Sequence, residues 1–202
     1  MPELLSPTSV LLLWAVIGYG LGSIPSGVIL ARVMGLGDLR DIGSGNIGAT
    51  NVLRTGSKKA AALTLLFDAG KGLLAVVLAR VVAGEDAAQL AGLAAFLGHC
   101  FPVWLEFKGG KGVATYFGVV FGISLVVGAV AGAIWIAVAA ISRYSSMAAL
   151  MTAGWVPVYV ALFGESRMFF LLALLGLLIY WRHSANVARL RAGTEGKIGA
   201  KD

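Results

Sequence analysis

Long apolar runs, separated by short polar stretches, set the plan of this chain. Thr8 to Gly35 is almost continuously apolar and long enough to cross a bilayer, with Gly22, Pro25 and Gly27 predicting a kink. Ala60 to Gly84 forms a second span and carries Asp68 and Lys71 one helical turn apart. Ala87 to Leu105 is a third, interrupted near its end by Gly98-His99-Cys100-Phe101-Pro102. Gly112 to Ile141 is too long for one span: its 30 residues would reach ~45 Å as a helix, against a hydrocarbon core of ~30 Å. Gly122, Ser124 and Gly128 offer a place for it to turn back. Ser146–Phe163 and Met168–Trp181 are two further spans, and the last twenty residues form a basic tail.

Charge decides the number of spans. With Gly112–Ile141 split in two, thirteen of the sixteen Lys and Arg residues fall on one face. Only Arg80 and Arg167 border the other, and Lys71 lies within a span. A single long helix would send the basic tail to the opposite side, so the positive-inside bias selects about seven transmembrane helices. The N-terminus is then outside and the C-terminus cytoplasmic. The two halves of the split segment are short, so the site between them is expected to be recessed. Composition agrees with this class: 58% of the 202 residues are hydrophobic and 13% charged, with 28 glycines and a mean hydropathy of +0.88. These values describe a single all-α integral-membrane domain rich in close helix contacts. The lone Cys100 excludes an intramolecular disulfide and a Cys-based zinc site. Glu3 and the long first apolar run argue against a cleavable signal peptide.

The candidate chemistry lies in three polar stretches that this topology gathers at one face. The first, Gly43–Arg54 (GSGNIGATNVLR), holds three glycines, a serine, two asparagines, a threonine and an arginine in twelve residues. Its irregular backbone does not suit lipid, but it can aim N–H groups, hydroxyls and a guanidinium at an anion. The second, GHCFPVWLEFKGGKGVAT, runs from Gly98 to Thr115 and begins a helix whose N-terminus favours phosphate. The third is RHSANVARLRAGTE, Arg182 to Glu195. Lysines beside spans usually set orientation, which accounts for Lys58, Lys59, Lys197 and Lys201. Arg54 and Lys111 differ, being surrounded by glycines or asparagines. Gly112 follows Lys111 where a Walker A motif needs Ser or Thr, so ATP hydrolysis loses support. His99 and His183 are the only histidines and both fall in polar stretches, where a structural and a functional role stand about even. No carboxylate cluster accompanies them, which argues against a metal site. Asp68 and Lys71 are expected to pair and to brace the loops from beneath.

Taken together, these three stretches resemble the bacterial acyl-phosphate:glycerol-3-phosphate acyltransferases, in the same order and with comparable spacing over nearly the whole chain. The resemblance implies transfer of a fatty acyl group from acyl-phosphate to the 1-hydroxyl of sn-glycerol 3-phosphate, giving lysophosphatidic acid and phosphate in phospholipid synthesis. It implies a multi-pass enzyme of the bacterial plasma membrane with its active site facing the cytoplasm, and no cofactor or metal. A soluble transacylase that makes the acyl-phosphate is a possible transient partner, and nucleic acid is not one. The catalytic candidates are Ser44, Arg54, His99 and Lys111, with Arg54 and Lys111 neutralising phosphate and stabilising the oxyanion, and His99 orienting Lys111 or a hydroxyl. The substrate-binding candidates are Gly43, Gly45, Asn46, Thr50, Asn51, Lys108, Gly109, Gly110, His183 and Asn186. The His-x4-Asp pair of other glycerolipid acyltransferases is absent, since Trp104 and Ala188 stand five places after the histidines. With no Ser–His–Asp spacing either, direct attack without an acyl-enzyme is expected. A small transporter of organic phosphates is the alternative, disfavoured because the polar stretches lie on one face and no inverted repeat is evident. A scaffold that recruits lipid enzymes explains the basic tail but not GSGNIGATNVLR.

Overall fold

In a computed structural model the regular elements of the described residues, 3–163 and 166–199, are all helices, with no strand among them. The first apolar run is two helices, α1 (Thr8–Gly22) and α2 (Ser26–Val33), joined at the predicted kink by Pro25. α3 (Ala49–Arg54) ends the first polar stretch. α4 (Lys58–Ala83) starts on Ser57, whose hydroxyl accepts from Ala60 N. α5 (Glu85–Cys100) follows after the single residue Gly84, which turns the chain at φ = 96°. A short 3₁₀ turn (Val103–Leu105) leads to the second polar loop. The ambiguous segment is broken as expected, into α6 (Val113–Ile123) and α7 (Leu125–Ser142), and Ser124 caps the second with its hydroxyl on Val127 N. Arg80 holds the break from α4 by donating to Gly122 O and Ile123 O. α8 (Ser145–Leu162), α9 (Phe169–Arg182) and α10 (Ser184–Arg191) complete the chain.

Five stretches are long and apolar enough to cross a membrane: Thr8–Val33, Lys58–Ala83, Glu85–Leu105, Leu125–Ser142 and Ser145–Leu162. A sixth passes only as the pair Ser166–Arg182 and Ser184–Arg191, bent by 60°. The remaining apolar helix, α6, has 11 residues, about 16 Å of rise, and is too short to span alone. The seven segments read from the sequence are therefore present, but one of them is a half-length helix.

Helix contacts follow membrane rules rather than those of a soluble core. The buried centre is rich in alanine, with Ala75, Ala79, Ala87, Ala88, Ala91 and Ala95 all fully buried. Leu12, Leu66, Val81, Leu125, Ile136 and Ile141 point outward and are more than half exposed, as lipid-facing residues should be. Small residues set the spacing. Gly18 and Gly22 of α1 press on the backbone of Ala91 and Ala95 of α5, leaving no room for a Cβ. α6 lies parallel to α4, with Gly118 against Ala69 and Gly122 against Val76. That register puts Lys111, just ahead of α6, on the order of 10 Å along α4 from Lys58. At the other end, the Asp86 carboxylate ties down the N-terminal segment by accepting from Leu5 N, Ser6 N and Ser6 Oγ.

Candidate active site

The first loop is shaped largely by its own amides. Asn51 Oδ1 accepts from Ser44 N (3.0 Å) and Ser44 Oγ (3.3 Å), while Asn51 Nδ2 donates to Leu39 O. Asn46 Oδ1 accepts from Gly48 N, closing a small turn into α3. Gly43 has φ = 53° and lies under the Arg54 side chain, so both conformation and space require glycine there. Thr50 Oγ1 meets Ser145 Oγ at 3.2 Å, joining this loop to α8. The Arg54 side chain makes no hydrogen bond among the described residues, and its guanidinium lies between Gly43 and Gly196.

The second loop is fixed from several sides. Gly109 N donates to Cys100 O and Gly110 N to His99 O, both across the end of α5. Arg182 grips the opposite side of the same peptides, with Nε on Gly110 O at 3.1 Å and a terminal nitrogen on Gly109 O (3.1 Å) and Gly110 O (3.0 Å). Its guanidinium also stacks 5.2 Å from the Phe101 ring centre. Arg40 reaches across from the first loop to Lys108 O. Gly112 then turns through φ = 83° against the Phe96 ring, and α6 begins.

The third stretch closes the site. Lys111 Nζ donates to Asn186 Oδ1 at 2.6 Å, and Asn186 Nδ2 donates to Glu195 at 2.6 Å. The Glu195 carboxylate also accepts from Ser146 Oγ and Arg189 Nε, each at 2.6 Å. Burial pushes this carboxyl toward its neutral form, but the hydrogen bonds from Ser146, Asn186 and Arg189 outweigh it and hold the pKa below the ordinary value. His183 Nδ1 lies 2.8 Å from Ile179 O. A carbonyl only accepts, so Nδ1 carries the proton and the Nε2 lone pair is left for a guest.

Arg189, Arg182 and Arg54 therefore crowd around Lys111, with one carboxylate, Glu195, among them. Burial, followed by the Arg189 charge, lowers the Lys111 ammonium to about 8, against the pull of Glu195. Four cations against one anion leave an excess of positive charge at a half-buried place, an arrangement that suits a multiply charged anion. With Ser44, Thr50 and the His183 lone pair nearby, the site offers donors for phosphate and an acceptor for a hydroxyl.

The structure thus brings together Gly43, Ser44, Asn51 and Arg54 in one loop, and Gly109, Gly110, Lys111, His183 and Asn186 across the other two. It places Gly45, Asn46 and Thr50 along the same rim. Two candidates sit apart. Lys108 turns outward to Glu106, 3.0 Å away, and both side chains are exposed. His99 lies beneath the loop, facing Asp68 rather than Lys111. Sequence reasoning passed over Arg182, Arg189, Glu195 and Ser146 as individual residues. Glu195 had a signal: it is the only acid between Arg182 and Lys197. Ser146 had none.

Residues 12–193 match the family described as glycerol-3-phosphate acyltransferase. The chain is 58% identical to a glycerol-3-phosphate acyltransferase of Dinoroseobacter shibae, covering 100% of this chain and 99% of that one. It is 60% identical to the enzyme of that name from Ruegeria sp. (strain TM1040), covering both chains fully. Among solved structures it resembles PlsY (YgiH), an integral membrane glycerol 3-phosphate acyltransferase. The glycerol 3-phosphate form superimposes with a TM-score of 0.89 at 38% identity, covering 94% of this chain and 96% of that one. The lysophosphatidic acid form gives 0.86 at 36%, covering 94% and 95%.

Proposed function

The chain belongs to the glycerol-3-phosphate acyltransferase family, and from that premise we propose that its acyl donor is acyl-phosphate and that the glycerol hydroxyl attacks it directly. The 1-hydroxyl oxygen of sn-glycerol 3-phosphate adds to the acyl carbonyl carbon, the bond from that carbon to the phosphate oxygen breaks, and inorganic phosphate leaves. The hydroxyl proton passes to a phosphate oxygen of one of the substrates. Lysophosphatidic acid is the other product. Acyl-phosphate is a mixed anhydride with a good leaving group, so the reaction needs charge stabilisation more than acid catalysis.

The observation that carries this reading is the contact of Lys111 with Asn186 inside a cluster of three arginines. It supports a pocket for two phosphorylated substrates built from all three polar stretches. Arg54 and Lys111 neutralise phosphate and the developing oxyanion, and His183 and Asn186 place the glycerol phosphate. Ser44, Thr50 and the glycine backbone line the phosphate. Ser44 Oγ is partnered by the Asn51 amide oxygen, which does not take up a proton, and this supports a binding role for the hydroxyl over a nucleophilic one. The multi-pass chain lies in the bacterial plasma membrane with the basic face toward the cytoplasm, where a soluble transacylase supplies the donor.

Purified protein in detergent, given acyl-phosphate and glycerol 3-phosphate, tests the proposal. Release of phosphate and lysophosphatidic acid is expected, and rapid quenching should trap no acyl-enzyme. Turnover with acyl-CoA or acyl carrier protein but not acyl-phosphate would overturn the donor; a covalent intermediate would overturn direct attack. An organic-phosphate transporter would instead show no chemistry in detergent and require sealed vesicles.

A further inference from the structure

Beneath the cation cluster lies a group of buried polar side chains that the proposed chemistry does not use. Lys71 Nζ on α4 sits 2.8 Å from Asp68 Oδ1 and donates to Ile24 O, at the break between α1 and α2, at 2.9 Å. His99 Nδ1 on α5 stands 3.5 Å from the same Asp68 oxygen, too far for a hydrogen bond but oriented by the charge. All three side chains are at most 6% exposed. Ionised groups inside a membrane bundle are costly and tend to mark function.

The surroundings of His99 give this cost a purpose. The Nε2 edge of its ring presses on Gly110 so closely that a side chain there would collide. Its carbonyl accepts from Gly110 N at 3.1 Å, and the next carbonyl, Cys100 O, accepts from Gly109 N at 3.0 Å. Arg182 holds the carbonyls of the same two glycines from the other side. Lys111 is the following residue. An apolar neighbour could fill the space beside His99, but only a carboxylate selects which ring edge turns toward α4 and which toward Gly110.

We propose that Asp68 and His99 are positioning residues: the Asp68–Lys71 pair fixes the imidazole, the imidazole sets the height of Gly109–Gly110, and the loop thereby aims Lys111 at Asn186 and at the phosphate of glycerol 3-phosphate. This rests on the acyl-transfer reading of the site. A displacement of about 1 Å in such a group costs on the order of 10²-fold in rate or affinity, so a modest tilt of the ring has a measurable effect.

The test uses purified full-length protein. Asp68→Asn is combined with Lys71→Met, so that no lone charge remains in the bundle, and His99→Leu is compared with His99→Asn, which keeps a donor toward Asp68. Each is assayed for both substrates beside its melting temperature and monodispersity. The double variant and His99→Leu should raise KM for glycerol 3-phosphate about tenfold or more, leave KM for acyl-phosphate within about twofold, and remain folded. His99→Asn, which keeps a polar group toward Asp68 but lacks the ring edge against Gly110, should recover only a small part of the loss. If the double variant does not fold, the two His99 variants decide. Unchanged KM in folded His99→Leu, or a lowered melting temperature with normal KM, would overturn the proposal. Should wild-type protein show no turnover with acyl-phosphate, the donor assignment fails separately, and calorimetric binding of glycerol 3-phosphate to the same variants reads the positioning effect directly.

Discussion

Lys111 offers a sharp test of the electrostatic account because its charge is set by its surroundings. Burial and the Arg189, Arg182 and Arg54 charges lower its pKa to about 8, with Glu195 opposing. Raising the pH through that value removes a proton and a positive charge from the site. At pH 10, two units above, only roughly one per cent of free enzyme would keep the ammonium. The apparent kcat/KM for glycerol 3-phosphate reports free enzyme, so it should fall on the basic side with a midpoint near 8. A bound phosphate favours the charged ammonium, so the corresponding limb of kcat should lie higher. Lys111→Arg keeps its charge above pH 12 and should abolish the limb near 8, at a lower plateau because arginine's fork does not reproduce the contact with Asn186. Lys111→Ala should lower kcat/KM by about 10²–10³, the usual effect of deleting one preorganised donor in acyl transfer. Initial rates from pH 6 to 10 in detergent, with protein integrity checked at each pH, supply the measurement. A basic limb near 8 that persists in Lys111→Arg would refute the assignment.

Other consequences follow from the same contacts. Arg54→Ala should reduce turnover by about 10²–10³ while leaving the melting temperature within a few degrees, because its guanidinium packs over a loop without bracing it; steady-state kinetics and thermal unfolding check the two halves. Glu195→Gln removes a carboxylate that accepts from Ser146, Asn186 and Arg189, and should destabilise the protein by roughly 1–3 kcal/mol, read from melting in detergent. Gly22→Val drives a side chain into the Ala95 backbone and should cost about 1–3 kcal/mol or more, seen as loss of monodisperse protein, whereas the same change at Gly132, which faces open space, should be tolerated.

Much of the fold was legible because the bilayer imposes its own length scale on the sequence. The excess length of Gly112–Ile141, together with the charge bias, called for a break at Gly122, Ser124 or Gly128, and the chain breaks at Ser124. The spacing of Asp68 and Lys71 disclosed their ion pair, which the structure forms at 2.8 Å. Two helices escaped notice. α3 and α10 are short, polar and stabilised by contacts with distant segments, so no apolar periodicity announces them. Both halves of the split segment were expected to be short, but only α6 is: α7 is long enough to cross, while the start of α6 is set by Gly112 packing against Phe96, a contact between segments. Within the site, Lys108 and Lys111 look alike in sequence. What separates them is the left-handed turn at Gly112 and the grip of Arg182 on Gly109 and Gly110, which direct one lysine to Asn186 and leave the other with Glu106. Glu195 reads as one charge in a basic tail until three donors from two helices are found on it.

The central claim is that segments far apart in the chain act on one phosphorylated guest, and a double-mutant cycle measures that most directly. Arg54→Ala, Lys111→Ala and the double variant would be compared by kcat/KM for glycerol 3-phosphate in detergent. Groups that share an anion lose it together, so the double variant should be less impaired than the product of the single effects, with a coupling of at least about 1 kcal/mol. Strictly multiplicative losses would mean that the two residues serve separate places, contradicting a single pocket.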